Sequence, residues 1–202
     1  MRQRPRRRRL GIVLMMVAAA LLVSVPAHAA VDGDTSGQPG VGTSARYGDR
    51  VIDLAQGWDG AGACVVWPKM LDIPECFDTE AEMDRRVVDL ETRAAFVSPS
   101  TNTDAITATS SSSCTSSLRL YDGTYYTGAV LYLRGRWQWF NLADYGFDQR
   151  TSSYVIGACS AWFADWTNGG GSWYPTSLTE AYDVAPTMSG GWDNDVSSVY
   201  MT

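Results

Sequence analysis

One eight-position pattern occurs twice in the C-terminal half of this 202-residue chain. The copies are Gly146-Phe147-Asp148-Gln149-Arg150-Thr151-Ser152-Ser153 and Gly191-Trp192-Asp193-Asn194-Asp195-Val196-Ser197-Ser198, 45 positions apart. A Gly-aromatic-Asp-x-x-x-Ser-Ser pattern recurring in this way means one structural unit used twice. It also sets oxygen-bearing side chains at equivalent points of both units, and oxygen is the donor that a hard cation such as Ca²⁺ takes.

The upstream part of each unit repeats as well. Tyr121-Asp122-Gly123-Thr124-Tyr125-Tyr126-Thr127-Gly128 aligns with Phe163-Ala164-Asp165-Trp166-Thr167-Asn168-Gly169-Gly170. The first stretch reads aromatic-x₄-aromatic-x-Gly; the second keeps the leading aromatic and the last glycine, with Asn168 at the middle aromatic position. Followed by (Asp/Asn)-(Asp/Asn)-x-x-(Ser/Thr)-Ser, this pattern resembles the βγ-crystallin Greek-key motif. The run Asn141-Leu142-Ala143-Asp144-Tyr145-Gly146-Phe147-Asp148 is similar to secreted actinobacterial members of that family, among them the Streptomyces metalloproteinase inhibitors. The resemblance covers residues 114–202.

The resemblance implies a mainly β fold, with two Greek-key motifs packed as a βγ-crystallin-like β-sandwich. It also implies Ca²⁺ sites, each drawing a side-chain oxygen from one acidic-serine stretch and a backbone carbonyl from the other. By position the candidates are Asp148, Arg150 through its carbonyl, and Ser152 in the first copy. In the second they are Asp193, Asn194, Asp195 through its carbonyl, and Ser197. Gln149 stands where the motif has Asp or Asn, and the Arg150 cation beside the first site opposes Ca²⁺ by local repulsion, so unequal sites are expected. A metal-free reading stands beside this one: Ser-Ser after an acidic turn also closes the turn through side-chain-to-backbone hydrogen bonds.

The N-terminus reads as an export signal. Six arginines lie within the first nine residues, Leu10 to Val25 is apolar, and Pro26-Ala27-His28-Ala29 puts small residues before a cleavage point after Ala29. The apolar run is short for a membrane span. Removing residues 1–29 leaves 10 of the 16 basic residues against all 22 acidic ones, a net charge of −12. Such a chain repels nucleic acid and anionic lipid; its acidity suits divalent cations, basic partners or plain solubility. The sole histidine, His28, lies inside the signal. Without it the mature chain has no Ser-His-Asp triad, Cys-His pair or His-ligated zinc, and a non-enzymatic protein is expected.

Four cysteines in an exported chain point to two disulfides, and spacing favours Cys64–Cys76 and Cys114–Cys159 over the other pairings. A four-cysteine metal site lacks the usual C-x₂-C spacing. Residues 30–46 read as a flexible lead-in and 98–113 as a Ser/Thr-rich linker. Between them, 47–97 reads as a small disulfide-tied region with a strand at Val65-Val66-Trp67 and a helix over Thr79–Thr92. The helix has Thr79-x-x-Glu82 capping-box spacing and a Met83, Val87, Leu90 stripe. Asp84-Arg85-Arg86 is expected on its solvated face.

From Leu118 onward, period-two alternation at Leu118, Leu120, Val130, Tyr132, Trp137 and Trp139 reads as half-buried strands. Eleven aromatics between Tyr121 and Trp162 are expected mostly between two sheets. The loop from Trp166 to Tyr174, with three glycines between tryptophans, either docks a partner protein or a sugar or simply turns with its tryptophans in the core. A secreted binding protein follows, an inhibitor of an extracellular proteinase by resemblance, or else a Ca²⁺-stabilised envelope component.

Overall fold

Strand β3 (Ala63–Val66) is buried along its whole length, and that fact organises the N-terminal half. The computed structural model describes residues 43–97 and 116–202. The expected signal and the expected linker lie outside the described residues. Strands β1 (Ser44–Tyr47) and β2 (Arg50–Asp53) precede β3; β4 (Glu75–Phe77) and helix α1 (Glu80–Val97) follow it. The C-terminal half adds β5 (Ser117–Gly123), β6 (Thr127–Arg134), β7 (Gln138–Asn141) and β8 (Ser153–Ile156), then β9 (Ala161–Ala164), β10 (Trp173–Tyr174), β11 (Val184–Ala185) and β12 (Ser198–Met201).

The last eight strands form two Greek-key units that exchange their third strands. β7 leaves the first unit to pair with β12, and β11 leaves the second to pair with β8. The smaller sheet therefore runs β10-β9-β12-β7, and the β11-β8-β5-β6 arrangement mirrors it in the larger sheet. This is the βγ-crystallin-like β-sandwich expected of residues 114–202. Leu118, Leu120, Leu131, Leu133, Phe140, Phe147 and Phe163 fill the space between the sheets.

The N-terminal strands continue the larger sheet. β3 pairs in parallel with β6, Ala63 opposite Val130 and Val66 opposite Leu133, and the order proceeds through β4 and β1 to β2. Residues 44–46 of the expected lead-in thus belong to β1, the lead-in up to residue 42 lying outside the described residues, and residues 44–97 share the sandwich's sheet. β3 also occupies the hydrogen-bonding edge that β6 would otherwise leave open, a surface prone to association. Cys64 sits opposite Cys76 across β3 and β4, and the two form the disulfide that spacing favours. Cys159 is disulfide-bonded as well; Cys114, its expected partner, lies outside the described residues.

A strand buried on both faces reads as an unbroken apolar run, which is why Cys64-Val65-Val66-Trp67 shows no alternation. Cys64 and Val66 face the core between the sheets, whereas Ala63, Val65 and Trp67 meet Met83, Val87 and Leu90 of α1. Each of these three helix side chains contributes about 1.5–3 kcal/mol by leaving water. Thr79 caps the helix, its Oγ accepting from the Glu82 N–H at 3.3 Å. α1 continues past Thr92 to Val97, because Arg93-Ala94-Ala95 carries no stop and Ala94 still packs against the core.

Ion pairs fasten α1 to the sheet. Arg119 holds Glu80 at 2.5 Å and Asp84 at 2.7 Å, Arg86 holds Glu75 at 2.6 Å, and Arg134 pairs with Glu91 while lying over the Trp67 ring. Of the expected solvated run, Arg85 faces water and pairs with Glu82 of its own helix at 3.9 Å, whereas Asp84 and Arg86 both bind the sheet. The aromatics are also spread more widely than expected. Phe140, Phe147 and Tyr154 lie between the sheets, Tyr121 and Tyr132 beneath α1, and Trp139 and Trp162 on the outer face of the smaller sheet.

Candidate metal-binding corners

The second residue of each acidic-serine turn lies in the left-handed region, Gln149 at φ 52° and Asn194 at φ 58°. Asn and Asp adopt that conformation several-fold more readily than other non-glycine residues, so the second copy is the better fitted. The two turns are bound to each other through their backbones. The Gln149 N–H donates to the Val196 carbonyl at 2.9 Å, and the Asn194 N–H donates to the Thr151 carbonyl at 3.0 Å. The second position of each turn thus bonds the fourth position of the other, and the repeated corners face one another across a pseudo-dyad.

Of the predicted site residues, Ser152 and Asn194 are brought together, the Ser152 hydroxyl donating to Asn194 Oδ1 at 3.4 Å. Ser152 and Ser197 are buried; Asp148, Asp193, Asn194 and Asp195 are exposed. Among the described residues no group of three or more His, Cys, Asp or Glu side chains could hold a metal ion. The donors at the corners are instead hydroxyl, amide and carbonyl oxygens with carboxylates nearby. That set is all hard oxygen, and it fits Ca²⁺ better than zinc or copper.

The second serine of each pair is a structural residue. Ser153 donates to the Gly123 carbonyl at 2.6 Å and accepts from the Tyr126 N–H at 3.0 Å. Ser198 does the same with the Trp166 carbonyl at 2.6 Å and the Gly169 N–H at 3.0 Å. Both are fully buried. These bonds tie each serine to the upstream hairpin of its unit rather than close the acidic turn, and they leave Ser152 and Ser197 outside that role.

These bonds also correct the hairpin alignment. Gly123 corresponds to Trp166 and Tyr126 to Gly169, so the glycine equivalent to Gly128 is Gly171, one place beyond the expected Gly170. Their φ values are 80° and 75°, and a Cβ at either would overlap an Asp side chain, Asp122 or Asp165. Those carboxylates accept from Ala129 N–H and Ser172 N–H, both at 2.7 Å. An Asp-x₅-Gly spacing present in both copies is the signal that would have given the register.

Arg150 does not stand bare beside the first corner. Its guanidinium holds Asp122 at 2.7 Å, donates to the Gly146 carbonyl at 2.7 Å, and lies over the Trp58 and Phe147 rings. The charge expected to repel a cation is already paired. Trp58 belongs to the N-terminal half, and its indole N–H donates to the Tyr145 carbonyl at 2.7 Å. Gly146 (φ 63°) meanwhile sits so close to the Leu54 carbonyl that no side chain fits. Residues 54–58 thus buttress the first corner, a role that their sequence does not suggest.

The glycine-rich loop folds back over the smaller sheet. Asn168 and Asn141 exchange hydrogen bonds of 2.7 and 3.1 Å, and Trp173 donates to the Gly169 carbonyl at 2.6 Å. Neither tryptophan is in the core, since Trp166 is 68 % exposed and Trp173 42 %.

No family model matches this chain, and no curated protein matches it. Solved structures do. A βγ-crystallin from Ciona intestinalis is 21 % identical, over 43 % of this chain and 99 % of that one, with a TM-score of 0.36. A βγ-crystallin domain from Flavobacterium johnsoniae is 21 % identical, over 42 % and 92 %, with a TM-score of 0.34. A clostrillin double mutant in complex with nickel is 13 % identical, over 42 % and 95 %, with a TM-score of 0.34. The strand exchange between the two Greek-key units, seen in this chain itself, is what establishes its fold.

Proposed function

We propose that this is a secreted, non-enzymatic binding protein that takes Ca²⁺ at its paired acidic-serine corners and uses the braced sandwich to inhibit an extracellular proteinase. The observation that carries the metal reading is the reciprocal docking of the two turns, with Ser152 Oγ 3.4 Å from Asn194 Oδ1. A site shared between turns that are distant in sequence exists only in the folded chain, so an ion bound there stabilises the fold. The second corner, with Asn194 at the left-handed position, is the stronger of the two. Dissociation constants on the order of 10⁻⁴–10⁻³ M suit an extracellular module.

The inhibitory role follows from the resemblance and from rigidity. A sandwich braced by a disulfide, a docked helix and a continued sheet presents loops at low entropic cost, which favours tight docking. The test has two arms. Thermal melts of the mature protein in millimolar Ca²⁺ and in chelator should differ in midpoint, and Ser152→Ala with Asn194→Ala should remove the difference. Titration against secreted metallo- and serine proteinases should show stoichiometric inhibition of at least one. An unmoved midpoint overturns the metal reading, and activity retained across the panel overturns the inhibitory one.

A further inference from the structure

The two outer faces of the sandwich are unlike. On the larger sheet, Tyr121, Val130 and Tyr132 lie beneath α1, whose outer surface is densely charged. On the smaller sheet the four strands, Gln138–Asn141, Ala161–Ala164, Trp173–Tyr174 and Ser198–Met201, contain no Asp, Glu, Lys, Arg or His. Their outward side chains include Trp139, Trp162, Trp173 and Tyr200, whose ring centroids are 4.9 to 6.3 Å apart in a closed four-membered cluster. Trp166, in the hairpin that follows the Ala161–Ala164 strand, is 68 % exposed. The one carboxylate of the adjoining hairpin, Asp165, is engaged by the Ser172 N–H at 2.7 Å.

Trp173 is exposed and Trp139, Trp162 and Tyr200 are half-buried; a cluster of large aromatic rings left partly open to water marks a contact surface, because leaving that area in water is costly unless something covers it. The charge pattern selects the occupant. Polyanions gain nothing from a face without cations. A basic protein is drawn to the acidic helix side instead. A neutral polysaccharide fits. Equatorial linkages leave the C–H faces of each sugar flat and apolar for stacking on indole, and the half-buried Asn141 and exposed Asn168 amides, bonded to each other at the cluster's edge, keep further donor and acceptor capacity for hydroxyls. We infer that the aromatic outer face of the smaller sheet, from Trp139 to Trp173 with Trp166 of the adjoining hairpin, binds neutral, equatorially linked polysaccharide.

The test is affinity electrophoresis of the mature protein in native gels containing hydroxyethyl cellulose, glycol chitin or the polyanion heparin. Tryptophan fluorescence would be titrated alongside with cellohexaose and chitohexaose. Expected are retardation by at least one of the two neutral polymers and none by heparin, with a fluorescence change on adding the matching hexasaccharide. Trp166→Ala and Trp173→Ala should each weaken binding by about tenfold, the loss typical of truncating an aromatic anchor. Tyr125→Ala, in the equivalent hairpin of the other unit, should leave it intact. Trp166 is the more exposed of the two tryptophans, so its variant reports on binding even if the Trp173 variant folds poorly. Migration unchanged in both neutral gels overturns the inference. So does retardation that survives Trp166→Ala, or a concentration-dependent dimer that Trp166→Ala abolishes, which would make a second copy the occupant.

Discussion

Ser153 and Ser198 occupy equivalent places in the two Greek-key units and make the same pair of hydrogen bonds. Each gives its hydroxyl proton to the carbonyl that opens the folded hairpin, at 2.6 Å, and accepts from an N–H at the hairpin's far end, at 3.0 Å. Both are fully buried, so the backbone groups they satisfy have little other recourse. Ser198→Ala removes both bonds and should cost about 2–3 kcal/mol. Urea unfolding followed by tryptophan fluorescence would measure it. Ser197→Ala, one residue away, should cost less in chelator and should act mainly on any Ca²⁺-dependent increment.

Thr151 and Val196 hold the position just before those serine pairs and are both fully buried. The Thr151 hydroxyl has no hydrogen-bond partner. An unmet hydroxyl in a dry site is unfavourable, and the valine of the other unit shows that a methyl group is accommodated there. Thr151→Val should therefore stabilise the protein by about 1 kcal/mol, raising the urea midpoint with an unchanged slope. A lower midpoint would mean that the hydroxyl is solvated or ligated.

The hairpin backbones run through matched left-handed positions, Tyr125, Tyr126 and Gly128 in one unit and Asn168, Gly169 and Gly171 in the other. Tyr125 is 70 % exposed at φ 56°, a conformation that costs about 1–2 kcal/mol for an ordinary L-residue. Tyr125→Asn, which copies the second unit, should stabilise by about 0.5–1 kcal/mol. Gly171→Ala should do the reverse, losing about 2 kcal/mol or more, because strain adds to overlap with Asp165. Differential scanning calorimetry of the two variants should move the midpoint in opposite directions.

Burial pushes two phenols up to about 12, Tyr121 with help from the Glu80 carboxylate that accepts its hydroxyl, and Tyr145 with help from Asp144. Both folded values lie above the ordinary 10.0, so the fold favours the neutral phenols. The stability they contribute is present in full below pH 10 and is lost as pH rises through 12. In that window each phenol should lower stability by at most about 1.4 kcal/mol per pH unit. Tyr145→Phe should flatten the alkaline limb of a stability–pH profile; an unchanged limb would mean that the phenol is open to solvent.

Much of the fold could be read from the chain because repetition and capping are local. The Asp-x-x-x-Ser-Ser pattern set the duplication, Thr79 and Glu82 placed the start of α1, and a twelve-residue spacing favoured Cys64–Cys76. The candidate corners could be read to the same depth: which residues, though not which of them meet. Three further matters rested on contacts between distant segments. Arg150 looked like a free cation because its partner Asp122 lies 28 positions away. Sequence alignment sets the hairpin glycine one residue early because Phe163 imitates the leading aromatic, while the hydrogen bonds of Ser198 fix the true register. Asp84 and Arg86 looked solvated because helical spacing does not show which flank of a helix meets a sheet.

Taken alone, the sequence determined that two like units exist, where their acidic-serine turns fall and which oxygens each of those turns carries, since turn chemistry depends on neighbours a few positions apart. Tertiary structure alone decided that β3 joins β6, that α1 covers one aromatic face while only the glycine-rich loop folds over the other, and that the two acidic corners meet. The reason is physical: strand edges and sheet faces choose partners by burial and hydrogen-bond satisfaction across the whole chain, and those terms have no local imprint.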